Sequence, residues 1–372
     1  MDRKELLGEV ERIVIKVGTT TITKDSSTAS KDMMDSIAEQ VKELKYQGKE
    51  VLIVTSGAIG IGLKVMRVKP NPNDIPIRQA ASSIGQSILM QKWTESFRKQ
   101  EITVAQILLT MDIYSDRDSV LNLNNTIDSL LKHNVVPIFN ENDAVSIKEI
   151  GAAFGDNDTL SAMIASRVDA DLLIIMSDVD GLYDKNPNVH KDAKFISVVD
   201  EITTEIKEMA GESVSGLGVG GMKTKIRAAE ICKDAGCRMI IVSNTIDDVV
   251  SKAITGEEIG TIFISDTQMS KKRRWLKSAK SQGTIFVDEG AEKAIRNHQS
   301  LLPIGIIGIS GYFSKGDIVD IVCGDMTIAK GTPNYNSDEV EKIKGLHSSR
   351  IQEILGKKKK SDVILNENMV II

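Results

Sequence analysis

The stretch Arg12–Thr55, RIVIKVGTTTITKDSSTASKDMMDSIAEQVKELKYQGKEVLIVT, decides the fold of this chain. It begins and ends with β-branched apolar runs, Arg12–Val17 and Val51–Thr55, which are typical of buried strands. Between them, Ser30–Gln47 carries apolar residues near helical spacing, and Gly48 is a natural helix stop. A strand, a helix and a second strand in this order predict two parallel strands joined by a helical crossover.

The same alternation continues to about residue 265, with a long helical region at Ile75–Lys99. Further strands are predicted at Ile102–Leu108, Val135–Phe139, Leu172–Met176 and Met239–Val242. This order predicts an α/β fold, a three-layer sandwich with a mainly parallel central sheet between helices. Ligands bind such sheets at the carboxyl ends of the strands, so the loops that follow strands are where chemistry is expected.

The pattern changes near Ser270, where SKKRRWLKSAKSQG is basic, polar and without periodicity. We predict a first domain over residues 1–269 and a basic linker over 270–282, which either connects the domains or lies along the protein surface. Short strand-like pieces separated by Gly, Asp and Pro turns then predict a small β-barrel-like domain over 283–357. Residues 358–372 are interpreted as a solvated tail.

Composition and charge narrow the class of protein. The chain has 372 residues, a net charge of −5 and only 4% aromatic residues, few for a surface that stacks on nucleic-acid bases. Three cysteines without a C-x-x-C pair indicate a reducing compartment. An apolar leader and a membrane-length apolar run are both missing from the sequence, so we expect a cytoplasmic protein.

Two of the strand-end loops are suited to phosphate. Lys16 ends the first strand and is followed by Gly18; it is interpreted either as a cation held over a transferring phosphate or as a lysine extending to solvent. The second loop, Thr55–Gly62 (TSGAIGIG), contains Ser56 and three glycines. Small residues there let the N–H groups of a helix N-terminus face an anion, although a tightly packed turn has the same composition.

The most informative connection follows the strand VVPIF. Asn140-Glu141-Asn142-Asp143 and Gly155-Asp156-Asn157-Asp158 provide carboxylates and carboxamides on one connection. Asn and Asp side chains can bind an amino group and a carboxylate, and one carboxylate can orient nearby lysines. The apolar Ala152, Ala153 and Phe154 between the clusters favour a folded flap over a solvated loop.

Two further segments have the composition of a nucleotide site. Gly216–Lys225 (GLGVGGMKTK) contains G-x-G-x-x-G, but a helical stretch precedes it, so a dinucleotide fingerprint is rejected. What remains is a glycine-rich turn that opens a helix at Met222–Ala235; lysines in its first turns oppose the helix dipole unless an anion binds there. The second segment is Ser177-Asp178, after the strand LLIIM, where Asp178 either faces a nucleotide or metal or belongs to an ordinary turn.

Together these motifs resemble the glutamate 5-kinases, a family of the amino acid kinase superfamily that carries a C-terminal PUA domain. The matching strings extend over nearly the whole chain and include IKVGT, VTSGAIGIG, GQS, PIFNENDAV, FGDNDTLSA, MSDVDGLYD and SVSGLGVGGMKTK. PIFNENDAV and GDNDTLSA together are highly specific. The resemblance implies transfer of the γ-phosphoryl group of ATP to the side-chain carboxylate of L-glutamate, with Mg²⁺, in the first step of proline biosynthesis.

The resemblance also implies roles for individual residues. Lys16, Lys225 and Asp158 are the expected catalytic residues, with Asp158 organising the lysines. Glutamate is expected to bind at Ser56, Asp143 and Asn157, with Asn140 and Asp156 nearby. The expected nucleotide-binding residues are Lys16, Ser177, Asp178, Val219, Gly220, Gly221, Met222, Lys223, Thr224 and Lys225. Val219 stands where the family often has threonine, which puts a side-chain contact from this position in doubt.

By the same resemblance, we expect a homo-oligomer, a dimer or tetramer, inhibited by L-proline at a site overlapping that of glutamate, with no membrane partner. Two alternatives remain: a kinase of the superfamily acting on acetylglutamate, aspartate, carbamate or UMP, and an RNA-associated protein. The NEND/GDND pair and the C-terminal domain argue against the first. Residues 281–356 hold 7 basic and 10 acidic residues, and this acidic balance argues against RNA binding.

Overall fold

A computed structural model gives the structure of the protein and describes residues 3–19, 29–69, 71, 74–110, 117–145, 157–187, 189–209, 221–265, 271–356 and 360–372. The chain forms two compact units. The first comprises Met1–Thr110 with Leu121–Gln268, and the second comprises Met111–Val120 with Met269–Ile372.

Up to residue 268, strands and helices alternate as the sequence predicts. The strands are β1 (Arg12–Val17), β2 (Glu50–Val54), β3 (Val104–Leu109), β4 (Val136–Glu141), β5 (Leu172–Ser177), β6 (Leu182–Tyr183), β7 (Phe195–Ile196), β8 (Val198–Val199), β9 (Arg238–Ser243) and β10 (Thr261–Phe263). The helices are α1 (Arg3–Leu7), α2 (Ala29–Tyr46), α3 (Ala58–Met66), α4 (Ile75–Arg98), α5 (Arg117–Lys132), α6 (Asn157–Arg167), α7 (Thr204–Met209), α8 (Met222–Ala235) and α9 (Val249–Ile254).

Within the described residues, eight strands form one sheet in the order β3-β4-β2-β1-β5-β9-β10-β8. β1 pairs in parallel with β2 and β5, and β5 pairs in parallel with β9. β10 runs antiparallel to β9, an exception that the strand–helix alternation does not predict. The chain passes from β4 on one side of β1 to β5 on the other, so the order reverses beside β1, where such folds place their ligands. The predicted mainly parallel sheet is confirmed.

The two faces of the central strand explain where Lys16 points. Ile13, Ile15 and Val17 are buried in an apolar core shared with α2, α4 and α9. Side chains alternate between faces along a strand, so Lys16 lies on the opposite face. Helix α6 contacts β1 there and also packs against α8. Lys16 therefore faces the layer formed by α6 and α8.

Glycines let α3 and α4 approach closely, which fixes the loop after β2. A Cβ atom on Gly62 would lie 1.8 Å from the carbonyl oxygen of Ala81, and one on Gly85 would lie 1.8 Å from that of Ala58. Any larger residue would therefore separate the helices. Gly57, which precedes α3, has a φ of 101°, in the left-handed region that favours glycine.

The second unit has its own sheet, in the order β12-β11-β13-β14-β15 within the described residues. Its strands are β11 (Gly283–Val287), β12 (Ile306–Ser310), β13 (Val319–Cys323), β14 (Met326–Gly331) and β15 (Met369–Ile371). Its helices are α10 (Lys271–Ser278), α11 (Glu289–Arg296), α12 (Ser337–Ile343) and α13 (Ile351–Leu355). β11 and β13 are parallel and the other pairs are antiparallel.

Two segments of this part of the chain form secondary structure that the sequence does not predict. Residues Lys271–Ser278 of the predicted linker form helix α10, and Leu276 packs in a small core with Ile318 and Val370. The predicted tail contributes β15, which pairs with β14. Helix α10 lies in a basic, polar segment with few buried residues, and β15 is only three residues long, so periodicity revealed neither element. In the part of the chain that the structure describes, no helix is long and apolar enough to span a bilayer.

Candidate functional site

Two buried lysines contact opposite oxygens of one buried carboxylate. Lys16 Nζ lies 2.6 Å from Asp158 Oδ1, and Lys225 Nζ lies 2.9 Å from Asp158 Oδ2. Lys16 comes from the end of β1, Asp158 from the first turn of α6 and Lys225 from the first turns of α8. The side chain of Asp158 is fully buried, and the lysines are 7% and 4% exposed. The structure thus joins three predicted catalytic residues in one cluster.

The cluster has one more ammonium group than carboxylate. Burial by itself would raise the pKa of Asp158, but the two ammonium groups outweigh burial and lower that pKa to about 2. Asp158 is therefore ionised at neutral pH and pairs with both lysines. With the lysines protonated, the cluster carries a net positive charge in a site nearly closed to solvent. Such a site favours an anion.

The start of α8 adds polar groups to the cluster. Gly221 precedes the helix, and the Thr224 hydroxyl donates to the Gly221 carbonyl oxygen at 2.7 Å and to Asp158 Oδ2 at 3.3 Å. Lysines in the first turns of a helix oppose its dipole, and at Lys225 the negative charge of Asp158 offsets this unfavourable interaction. Lys223 is exposed and does not join the cluster. Asp156, Val219 and Gly220 lie outside the described residues.

A group of amides lies directly beside the lysine cluster. Asn157, the neighbour of Asp158 in the chain, directs its Nδ2 at Thr55 O (2.6 Å), Ser56 Oγ (2.8 Å) and Asn140 Oδ1 (2.9 Å). Ser56, Asn140 and Asn157 are all buried, although each is polar. The structure therefore brings three predicted substrate-binding residues together, at the ends of β2 and β4.

Asp143 has a raised pKa. Burial raises the pKa of the Asp143 carboxyl to about 6, and the guanidinium of Arg78 opposes part of that rise. A poorly solvated carboxylate favours a cationic partner, because attraction to the positive charge offsets the hydration free energy that the carboxylate loses on burial. Arg78, at the start of α4, did not emerge from the sequence reasoning, which found no motif around it.

The ends of β5 and β9 lie side by side in register, Ser177 opposite Ser243. Ser177 is buried, donates its hydroxyl to Asp178 Oδ1 at 3.1 Å and accepts the N–H of Asn244 at its carbonyl oxygen at 2.8 Å. Asp178 itself is exposed. Ser243 and Asn244 are additional buried polar residues at this edge, and the sequence reasoning missed them because no repeated motif surrounds them.

Comparison with known proteins places both units. Residues 11–243 match the model of the Amino acid kinase family, and residues 283–355 match the model of the PUA domain. The predicted kinase-type α/β fold with a C-terminal PUA domain is thereby confirmed.

Curated relatives align over nearly the whole chain. A protein of Methanosarcina barkeri named glutamate 5-kinase is 50% identical over 379 aligned positions, covering 100% of this chain and 99% of the relative. A glutamate 5-kinase of Thermoanaerobacter sp. is 44% identical, covering 97% of this chain and 98% of the relative. Among solved structures, carbamate kinase from Giardia lamblia bound to AMP-PNP is 16% identical, with a TM-score of 0.50 over 69% of this chain and 99% of that one. That likeness concerns the fold.

Proposed function

This chain belongs to the glutamate 5-kinase family, and from that premise we propose that it transfers the γ-phosphoryl group of ATP to the side-chain carboxylate of L-glutamate. A carboxylate oxygen of glutamate attacks the γ-phosphorus, and the bond from phosphorus to the bridging oxygen of ADP breaks. The products are L-glutamyl 5-phosphate and ADP. This reaction is the first step of proline biosynthesis, as the family resemblance implies.

The observation that supports the proposal is the pair of ammonium groups on one buried carboxylate, Asp158, beside a pocket of amides. Phosphoryl transfer needs positioning and charge stabilisation more than covalent catalysis. Lys16 and Lys225 stabilise the charge on the transferring group and on the leaving oxygen. Asp158 holds both lysines in place.

The remaining predicted residues divide between the two substrates. Ser56, Asn140, Asn157 and Asp143 bind glutamate, with the Asp143 carboxylate facing its ammonium group. Ser177, Asp178 and the residues Gly221–Lys225 bind ATP at the adjoining strand ends and the start of α8. Asp156, Val219 and Gly220 keep their proposed roles from the resemblance alone.

Mg²⁺ fits this site as an ion held chiefly by ATP. Across the described ranges, no three His, Cys, Asp or Glu side chains converge as a metal site. Mg²⁺ commonly keeps water ligands and binds through substrate phosphates with one or two carboxylates. Asp178, exposed at the end of β5, is a carboxylate candidate at the nucleotide end. The ion supplies charge neutralisation on the phosphates.

The family resemblance supports three further proposals. L-Proline inhibits the enzyme at the amide pocket, the chain assembles as a dimer or tetramer, and the enzyme is cytoplasmic. Inhibition kinetics with proline against glutamate, and sedimentation equilibrium, test the first two.

The deciding experiment is ADP release from ATP with glutamate, acetylglutamate, aspartate, carbamate and UMP as separate acceptors. We expect release with glutamate, and trapping with hydroxylamine should yield the hydroxamate expected from an acyl phosphate. Release with another acceptor at least tenfold faster than with glutamate would overturn the proposal.

A further inference from the structure

Four side-chain carboxamides form a continuous chain of hydrogen bonds that begins in the proposed glutamate pocket. Asn157 Nδ2 donates to Asn140 Oδ1 at 2.9 Å, and Asn140 Nδ2 donates to Gln86 Oε1 at 2.8 Å. Gln86 Nε2 then donates to Gln106 Oε1 at 2.9 Å. The chain leads from α6 through β4 and α4 to β3, at the edge of the sheet.

All these hydrogen bonds run in the same direction. Each amide has one donor end and one acceptor end, so turning any member over would place two donors or two acceptors in contact. The backbone N–H of Glu141 donates to Asn140 Oδ1 at 3.0 Å, and the Thr55 carbonyl accepts from Asn157 Nδ2 at 2.6 Å. Both contacts favour the same orientation. The Asn157 Oδ1 atom is consequently turned away from the three acceptors of its NH₂ group, Thr55 O, Ser56 Oγ and Asn140 Oδ1.

Gln86 supplies the acceptor for Asn140, the most enclosed member of this chain. Gln86 is 9% exposed and Asn140 is 3% exposed, whereas Gln106 is exposed on β3. Without the Gln86 oxygen, the Asn140 NH₂ group would be buried without that acceptor. An unsatisfied buried donor costs about 1–3 kcal/mol, which is enough to turn or shift the Asn140 amide.

From this geometry we infer that Gln86 is a positioning residue: it holds Asn140, and through Asn140 it sets the orientation of Asn157 toward the ammonium-bearing end of the amino acid substrate. This inference rests on the proposed function for the identity of the substrate, and it deepens that function. Both ends of the Gln86 amide are used by Asn140 and Gln106, so we assign it no substrate contact. Its loss therefore weakens glutamate binding and leaves the lysine cluster intact.

Gln86→Met tests this role, since methionine has similar length and cannot accept from Asn140. We expect KM for glutamate to rise about tenfold, the effect of one net hydrogen bond in a buried site, while kcat and KM for ATP stay within twofold. Gln86→Glu keeps an acceptor for Asn140 and should restore KM to within threefold of wild type. Gln106→Met is the matched control. Gln106 is exposed, so water can accept the hydrogen bond from Gln86 in its place, and KM for glutamate should change by less than twofold.

A double-mutant cycle distinguishes positioning from general damage. In an Asn157→Ala background, Gln86→Met should add little to the rise in KM, because both changes act through the same amide. Additive effects, or equal losses in kcat and in KM for ATP, would overturn the inference. If Gln86→Met does not fold, Gln86→Asn, one methylene shorter, replaces it and must raise KM for glutamate in the same way.

A readout without catalysis separates this inference from the proposed function. If wild-type protein releases no ADP with glutamate, the proposed function fails while the amide chain remains testable. The side-chain NH₂ signals of Asn140 and Asn157 should exchange slowly with solvent in wild type and in Gln106→Met, and faster in Gln86→Met. Unchanged exchange in Gln86→Met would exclude a positioning role.

Discussion

Asn157 and Asp158 are consecutive at the start of α6, yet their side chains serve different halves of the site. The Asn157 amide binds the loop after β2 and the end of β4, at Ser56 Oγ and Asn140 Oδ1. The Asp158 carboxylate pairs instead with Lys16 and Lys225. One helix start thereby fixes the distance between the amide pocket and the ammonium groups. That distance decides whether a bound carboxylate can reach the phosphorus.

The Asp158 ion pairs contribute to stability. In Asp158→Asn, two buried ammonium groups lose their carboxylate, and removing one partner of a buried ion pair costs roughly 3–5 kcal/mol. We expect that loss in the free energy of unfolding, measured by urea denaturation at pH 7. Lys99→Met, which breaks the more exposed pair with Asp35, is the control and should change stability by less than about 1 kcal/mol.

Acid titration gives a second check on Asp158. The folded-state pKa, about 2, lies below the ordinary value of 3.8, so the stabilisation is fully present above pH 3.8 and is lost as pH falls toward 2. The unfolding free energy of wild type should therefore decline more steeply over that window than that of Asp158→Asn. Parallel curves would contradict the lowered pKa.

The proposed function places the two lysines at the chemical step. Lys16→Ala or Lys225→Ala should lower kcat by ~10²–10³, as the loss of one transition-state donor does. Lys233→Ala, in the last turn of the same helix α8, is the control and should retain wild-type turnover. Initial rates at saturating ATP and glutamate measure the effect. Turnover within threefold of wild type in both site variants would refute the assignment.

If Asp143 faces the ammonium group of glutamate, as proposed, glutamate binding should depend on pH. With a pKa of about 6, the carboxyl is mainly ionised at pH 7 and becomes protonated as pH falls, losing the charge that faces the substrate ammonium group. KM for glutamate should rise by up to about tenfold per pH unit below 6. Asp143→Asn should show a higher KM that is nearly flat from pH 5 to 7. A wild-type profile equally flat would exclude this role.

Helices α3 and α4 cannot accept a larger residue at their crossing. In Gly62→Ala the new Cβ would lie 1.8 Å from the Ala81 carbonyl oxygen, so the helices must separate, at a cost of about 1–3 kcal/mol. Gly308→Ala, whose Cβ would have its nearest neighbour at 3.7 Å, is the control. Thermal unfolding should show a lower Tm for Gly62→Ala only. KM for glutamate should rise as well, because α3 carries the loop of Ser56.

The C-terminal residues are part of the second unit. Val363 and Ile364 are fully buried, and Met369 lies in the same core, so deleting residues 361–372 should expose this unit to proteolysis. Ile372→Ala is the control, since that side chain is half exposed. Limited trypsin digestion followed by mass spectrometry locates the cleavage sites. Equal resistance of the truncated chain and wild type would restore the interpretation of a solvated tail.

The sequence by itself determined the order of strands and helices, because periodicity and β-branched runs are local properties that read directly as secondary structure. It also placed Lys16 at a strand end, Asn140 and Asp158 on the connection after another strand, and two lysines at the start of α8; parallel sheets bind ligands at their strand ends. The family resemblance, resting on specific strings, assigned their roles. It did not reveal α10, whose few buried residues lie in a basic, polar segment, or β15, which at three residues is too short for a periodic signal.

Only the tertiary structure decided which side chains meet. The strand order carries β1 between β2 and β5, and α6 and α8 pack on the face toward which Lys16 points, so residues distant in the chain share one carboxylate. Gln86 reaches Asn140 in the same way, through the packing of α4 against the sheet. Hydrogen-bond partners and burial depend on three-dimensional contacts between remote segments, and those contacts also set the charge states of Asp143 and Asp158.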